Sequence, residues 1–481
     1  MCPNFRGSSG HTPAMRLQGV VTTGIYCRAE CSARPDLTNV RPMRNAVEAM
    51  AAGYRPCLLC RPDRLPGLGF AQPVAEVAHA LRLIADGYLD RATTEALAER
   101  IGYSTRQLVR LFKQHVGASP DFVARARRAH LARRLLDESA LSIGEVAFAA
   151  GFSSTRQMNR VMRELFGFTP TVLRTKRRRG DRLEALDGGL RLRVPYAASL
   201  PVDRLLDYLG ARAIPGVEAI ADGHYLRTSN TCGYPGVIEL GPSQSSGHLE
   251  VVMHLATFGS ILDQVRRARA LFGLEQDVAA AREHLLRDRR LAPLVRREPG
   301  LRLPGAWDRF ETAVRILVGQ QVSVAGATTV TGALVERYGA PVETPLPAGL
   351  SRLFPSPEAL AAASPEAMAM PQARSETIRR FADAVASGAL DLCGRASLGE
   401  TVAELQTLKG VGPWSAHLIA ARVMGHPDAF PASDLGLRRA ATRVIGARKV
   451  VSARELEELS QRWRPFRAFA AIHLWMSETS G

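Results

Sequence analysis

Cys27, Cys31, Cys57 and Cys60 read C-x3-C, a gap of 25 residues, then C-x2-C. Two short-spaced thiol pairs can set four sulfurs around one tetrahedral ion, the shell that structural zinc prefers. The segment holds few large apolar residues, so it is expected to need that metal to fold. Two disulfides or four free thiols are the alternatives, and both suit an intracellular chain less well. One Zn2+ is expected. Zinc would also keep a sulfur as thiolate at neutral pH, and the thiolate is the nucleophilic form of cysteine.

A second constellation lies in LKGVGPWSAHLIAARVMGHPDAFPASDLGLRR, Leu408 to Arg439. Gly410, Val411 and Gly412 can turn the chain between two helices and leave backbone N–H groups unobstructed. Such donors beside a helix N-terminus suit a phosphate. A plain glycine turn in a helical bundle has the same pattern. Trp414 is a core aromatic or a platform with a π-face to offer. Asp434 is a helix cap or a reacting carboxylate.

Several domains must position these residues. A chain of 481 residues exceeds one core and suggests three or four domains. Its composition, 46% hydrophobic and 23% charged, is that of a folded protein. The net charge of +17 and isoelectric point of about 10.3 are carried almost wholly by arginine, since four lysines occur. That balance favours polyanions, with a basic surface serving solubility alone as the competing reading. No apolar window is long enough for a transmembrane helix, so no membrane partner is expected. The opening MCPNFRGSSGHTPAMR has no apolar signal core, which favours the cytoplasm.

After the Pro/Gly-rich RPDRLPGLGFAQP the pattern is helical to about Arg179 and contains a repeat. Leu97–Pro120 matches Val146–Pro170 with one inserted residue. Each copy has a short apolar helix, a glycine turn at Gly102 or Gly151, and a Ser/Thr cap before a second helix. Arg106 and Gln107 in one copy, Arg156 and Gln157 in the other, stand where side chains reach base edges in the major groove. KRRRG, Lys176–Gly180, reads as a solvated basic linker. From about residue 188, LRLRVPY, VIELG and HLEVVMHL alternate as strands and VDRLLDYLGARA fits an amphipathic helix. That segment offers no ligand cluster, and its Cys232 is isolated. The last 180 residues are again helical in pattern.

TTGIYCRAEC and EAMAAGYRPCLLCRPD resemble the N-terminal zinc domain of the Ada family. The resemblance implies that Cys27 accepts a methyl group from a methylated DNA phosphotriester, with Cys31, Cys57 and Cys60 completing the metal shell. Loss of thiolate charge would weaken repulsion toward DNA phosphates and allow a switch. Arg28-Ala29-Glu30 stands where the family usually has Arg-Pro-Ser, and Glu30 sets a carboxylate beside the anionic centre. The two repeat copies, joined by RARRAHLARRLL (Arg125–Leu136), resemble the AraC-type double helix–turn–helix, which also follows the zinc domain in Ada.

The segment from 188 resembles the N-terminal domain of AlkA-type glycosylases, and Arg302–Trp475 the helix–hairpin–helix DNA glycosylase superfamily. FPASDLGLRR matches the AlkA-type catalytic stretch, which implies Asp434 as the essential carboxylate. Breaking the glycosidic bond of a cationic alkylated purine develops positive charge on the deoxyribose. A buried carboxylate near C1′ stabilises that charge and can orient a water. Trp414 occupies the position where strand-cutting members carry a Schiff-base lysine, which implies hydrolysis alone, with Trp414 stacked on the base. Gln321, in Gln320-Gln321-Val322, sits where the family fills the gap left by a flipped base. No set of four cysteines follows Asp434, so no iron–sulfur cluster is expected.

The whole reads as a multidomain, predominantly α protein resembling an Ada–AlkA fusion. Residues 1–66 form a small zinc-binding α+β domain and 72–179 a tandem helix–turn–helix bundle. Residues 188–300 form an α+β AlkA N-terminal-like domain and 301–481 an all-α helix–hairpin–helix glycosylase domain. The implied activity is hydrolysis of 3-methyladenine- or 7-methylguanine-type purines from DNA, fused to a methylphosphotriester acceptor and transcription regulator. The implied partners are double-stranded DNA carrying alkylated bases, methylated phosphates or promoter sequence, together with RNA polymerase, in a bacterial cytoplasm at the nucleoid. The alternatives are a regulator whose C-terminal half binds DNA without catalysis, and a glycosylase/lyase.

Overall fold

The computed structural model describes residues 17–64, 74–183, 189–196, 200–231, 233–342, 346–395 and 397–478. Most of the Pro/Gly-rich stretch after Arg64, and Cys232, lie outside the described residues.

The first segment is a four-stranded sheet of order β3-β1-β2-β4, with β1 Leu17–Val20, β2 Ile25–Arg28, β3 Val40–Met43 and β4 Arg55–Pro56. Strand β1 is antiparallel to both β2 and β3, and β4 runs parallel to β2. This arrangement places Cys27 on β2 and brings the chain after β4 back beside it. The helix Ala46–Ala51 is capped by Asn45, whose side chain accepts from the Glu48 N–H. Its buried Val47 and Met50 share a core with the helices that follow.

The repeat forms as its sequence pattern predicts. Helices Thr94–Ile101 and Thr105–His115 make one motif, Ile143–Ala149 and Thr155–Phe166 the other, joined by the long helix Pro120–Glu138. Gly102 and Gly151 both turn at φ +79°, a left-handed conformation natural to glycine. Leu135 and Leu136 of the joining helix are fully buried in the common core.

The next segment is an antiparallel sheet of order β5-β9-β8-β7-β6, with β5 Leu190–Pro195, β6 Glu218–Ala221, β7 His224–Thr231, β8 Tyr234–Pro242 and β9 His248–His254. The helix Val202–Gly210 packs on it through Leu205, Leu206 and Leu209. Two ion pairs fix this sheet to the C-terminal helices: buried Arg227 to Glu311 at 2.7 Å, and half-buried Arg315 to buried Glu218 at 2.9 Å.

The C-terminal part has two apolar cores. One centres on Ile316, Phe381 and Ile419, the other on Phe430, Leu437 and Trp463, with the helices between Val278 and Arg297 contributing to the second. Ion pairs of Asp86 with Arg309, Arg100 with Asp391, and Arg127 with Glu275 dock the helix–turn–helix segment against this half. Among the described residues no helix is long and apolar enough to cross a membrane.

Candidate active site and metal centre

Asp434 lies where the two C-terminal cores meet. The turn before it is held by its own N–H, which donates to Pro431 O at 2.8 Å, and by Phe430 N–H, which donates to His417 Nδ1 at 3.2 Å. Asp434 is the N-cap of the helix Leu435–Ile445, and its Oδ1 accepts from the Leu437 N–H at 2.9 Å. Trp414 Nε1 donates to Oδ2 at 2.9 Å, and Trp475 Nε1 donates to Oδ1 at 3.0 Å. Trp414 packs against the first core and Trp475 against the second. The carboxylate is thus held from both sides by indole N–H groups. The cap reading of Asp434 is met through Oδ1, and Oδ2 accepts from Trp414 alone among the described residues. Asp434 is half-buried rather than buried as the sequence suggested, because it caps a helix at the junction of the two cores rather than inside either one.

Two further aromatic residues of this region were missed from sequence. Trp475 lies 41 residues beyond Asp434 on a helix, Arg467–Glu478, whose apolar pattern is that of core. Tyr208 comes from the sheet domain. Its ring lies 3.8 Å from the Arg212 guanidinium carbon and 5.5 Å from that of Arg422, and it packs against the same small core as Trp475. Burial raises the Tyr208 hydroxyl, but Arg422, Arg212 and Arg315 outweigh it and bring it below its ordinary value, against the opposing field of Asp434.

The glycine turn joins the helices Leu398–Gln406 and Pro413–Arg422. Gly410 stands at φ +96°, and a Cβ there would collide with the Thr377 side chain. Val411 is buried and anchors the turn, its N–H donating to Leu408 O at 3.0 Å. Gly412, the N-cap, is exposed and has open space where a Cβ would stand. Lys409 beside it is exposed. Gln320 Nε2 donates to Gly410 O at 3.0 Å and to Ser415 Oγ at 2.8 Å, while Arg374 donates to Gln320 O at 2.5 Å. These bonds tie the turn to the next loop, where exposed Gln321 is held at φ +57° beside exposed Val322 and Val324.

In the recognition helices Arg106 and Arg156 are exposed at the first turn. The glutamines have a further task. Gln107 Oε1 accepts from Ser104 N–H at 3.1 Å in a capping box, and Gln157 Oε1 accepts from Ser153 N–H at 2.9 Å. Their amide groups keep only the N–H side free of these caps.

The sulfurs of Cys27, Cys31, Cys57 and Cys60 all lie within 4.8 Å of one another. Tetrahedral zinc with bonds of ~2.3 Å sets its sulfurs about 3.8 Å apart, so the four residues fit one ion. Burial, then the neighbouring sulfurs, push the Cys27 thiol well up. Burial and the neighbouring sulfurs raise Cys60 to about 12, although the Arg28 N–H opposes them. Burial also raises Cys57, but N–H donors of Cys60 and Leu59 outweigh it and lower that thiol. A divalent cation among them reverses the repulsion. Cys27 is 2% exposed, whereas Cys60 is half-buried and Glu30 is exposed. The basic run Lys176–Gly180 is no free linker: Arg178 Nη2 donates to the carbonyls of Leu58, at 3.1 Å, and Leu59, between two of the ligands.

Family models match in the order of these segments. The metal binding domain of Ada matches residues 16–63, a helix-turn-helix domain 97–176, the AlkA N-terminal domain 190–308, and the HhH-GPD superfamily base excision DNA repair protein 314–465. A probable bifunctional transcriptional activator/DNA repair enzyme AlkA of Mycobacterium tuberculosis is 41% identical over 460 residues, 95% of this chain and 91% of the relative. The DNA-3-methyladenine glycosylase 2 of Escherichia coli is 30% identical over 57% of this chain and 93% of its own. Among solved structures, a 3-methyladenine DNA-glycosylase from Archaeoglobus fulgidus shares the fold, with a TM-score of 0.52 at 22% identity over 60% of this chain and 98% of that one. The chain therefore belongs to the bifunctional Ada–AlkA family, a DNA glycosylase joined in one polypeptide to a zinc-binding Ada-type domain and a DNA-binding helix–turn–helix regulator.

Proposed function

We propose that the C-terminal half excises alkylated purines of the 3-methyladenine and 7-methylguanine type by hydrolysis, leaving an abasic site. The observation that carries this is the Asp434 carboxylate clamped between the N–H edges of Trp414 and Trp475 at a helix N-terminus. With their edges engaged, the indoles have their π-faces left to meet an electron-poor base. Asp434 stabilises the positive charge that develops on the deoxyribose and orients the attacking water. Alkylation already makes the base a good leaving group, so no strong general acid is needed. Trp414 cannot form a Schiff base, so the strand stays uncut. Gly410, Val411 and Gly412 grip phosphates through the backbone, and Gln321 fills the gap left by the flipped nucleotide.

In the same reading Cys27 is the methyl acceptor. Its sulfur attacks the methyl carbon of a DNA phosphotriester; the S–C bond forms, the C–O bond breaks, and the phosphodiester anion leaves. Zinc, when bound, supplies the thiolate. Arg106, Gln107, Arg156 and Gln157 face promoter DNA, RNA polymerase is the further partner of an activator, and the setting is the cytoplasm at the nucleoid. The test is base release from a duplex carrying 3-methyladenine or 7-methylguanine, wild type beside Asp434→Asn. Equal, negligible release by both sinks the catalytic reading in favour of a DNA-binding regulator. Borohydride trapping of a covalent DNA complex would favour a lyase instead.

A further inference from the structure

Two arginines flanking the metal ligands have no part in methyl transfer as described. Arg61 directly follows Cys60 and stands at φ +47°, a left-handed conformation that suits glycine. Its N–H closes the ligand loop by donating to Cys57 O at 2.9 Å. Its side chain is 3% exposed: Nε lies 3.5 Å from Asp63 Oδ1, and the guanidinium reaches on into the helix–turn–helix segment. There Nη2 meets Asp137 Oδ2 of the joining helix Pro120–Glu138 at 2.5 Å. Asp137 also pairs with Arg133 at 3.0 Å, and Arg133 donates to Leu173 O behind the second motif at 2.9 Å. At this position the side chain makes the long-range contacts while the backbone takes a conformation that glycine adopts more easily. From the other side Arg178 holds the carbonyls of Leu58 and Leu59.

We propose that Arg61 and Arg178 are positioning residues that seat the Cys57–Cys60 loop on the helix–turn–helix segment, so that the state of the thiolate centre is read by the joining helix and through it by both recognition helices. This rests on the zinc-acceptor reading above. The loop cannot shift without moving Asp137 or stranding a buried charge, and stranding one is strongly unfavourable. The joining helix packs beneath both motifs, so its displacement alters their spacing. Coupling of this kind is reciprocal: DNA must change zinc affinity by the factor by which zinc changes DNA affinity.

The experiment measures zinc affinity of the full chain by competition with a chelator, with and without a duplex selected in vitro for tight binding. Duplex is expected to tighten zinc binding in the wild type by about tenfold, a usual size for coupling between sites. Arg61→Gly, combined with Asp63→Asn because Asp63 Oδ1 lies 3.5 Å from Arg61 Nε and would otherwise be left as a buried charge, accepts the backbone conformation and leaves Asp137 paired with Arg133. It is expected to bind zinc without duplex within about threefold of wild type, while the duplex effect falls below about twofold. Arg61→Lys should restore part of the effect, and the exposed Arg178→Ala should show an intermediate loss. A full duplex effect in both the Arg61→Gly, Asp63→Asn double variant and Arg178→Ala, or none in the wild type, overturns the proposal. Failure of the wild type to bind zinc at all overturns instead the reading on which it rests.

Discussion

Asp434 and Cys27 are held by opposite means. The carboxylate is met by donors: the indole N–H groups of Trp414 and Trp475 and the backbone N–H of Leu437. The thiol is met by its own kind, three further sulfurs which, after burial itself, push it away from the thiolate form. One site is complete when the chain folds, because helices bring complementary groups together. The other is completed by a cation, because the residues that the chain brings together repel as anions. A protein built from both should lose one function without the other.

The largest effect should come from removing zinc. Chelation should abolish methyl uptake at Cys27 and melt the first segment, since structural zinc contributes roughly 10 kcal/mol or more to such small domains. Base release should stay within about twofold, because an electrostatically preorganised carboxylate does not depend on that ion. A parallel fall in both activities would break the contrast. In the reverse direction, Asp434→Asn should lower base release by about 10^2- to 10^3-fold. Its melting temperature should hold, because asparagine caps a helix as well as aspartate. Trp475→Phe and Trp414→Phe keep a ring and lose a donor to a charged acceptor. Each is expected to cost about tenfold or somewhat more in base release, and an unchanged rate would show that the indole edges do not matter.

Gly410→Ala should weaken binding to undamaged duplex by about tenfold, through a left-handed backbone and the clash with Thr377. Gel-shift titration beside the wild type is the measurement, and unchanged binding would remove the turn's conformation from the account.

The smallest effect concerns the junction between the two halves. Burial, then Arg82, bring His79 from 6.5 to about 4, and the same pair of causes brings His426 to about 3. Both folded values lie below the unfolded one, so the folded chain binds fewer protons. The stability tied to the neutral rings is full above pH 6.5 and is lost as pH falls from there through 4. Urea midpoints should therefore fall from pH 7 to pH 5, and His79→Gln should flatten that slope; an identical slope would remove these rings from the account.

Residues close in sequence were legible, and residues joined by the fold were not. Four cysteines in two short pairs, the Gly102 and Gly151 turns with their serine caps, and Gly410-Val411-Gly412 each carry their meaning within a few positions. Trp475 looked like core because its helix is core; only the meeting of two cores turns its N–H toward Asp434. Gln107 and Gln157 satisfy a cap and a base-reading pattern equally well from sequence, and their oxygens are committed to caps. Tyr208 belongs to a segment with no ligand cluster, and the docked sheet domain brings it against the core that Trp475 also joins. Arg61 and Asp137 are 76 residues apart, beyond what any local pattern reports.

The ion pairs of Asp86 with Arg309 and Arg100 with Asp391 set the recognition helices and the Gly410 turn at an offset fixed by the fold. A loose tether would let the enzyme sweep every base within its reach. In a docked pair, placing one half also sets where the other stands.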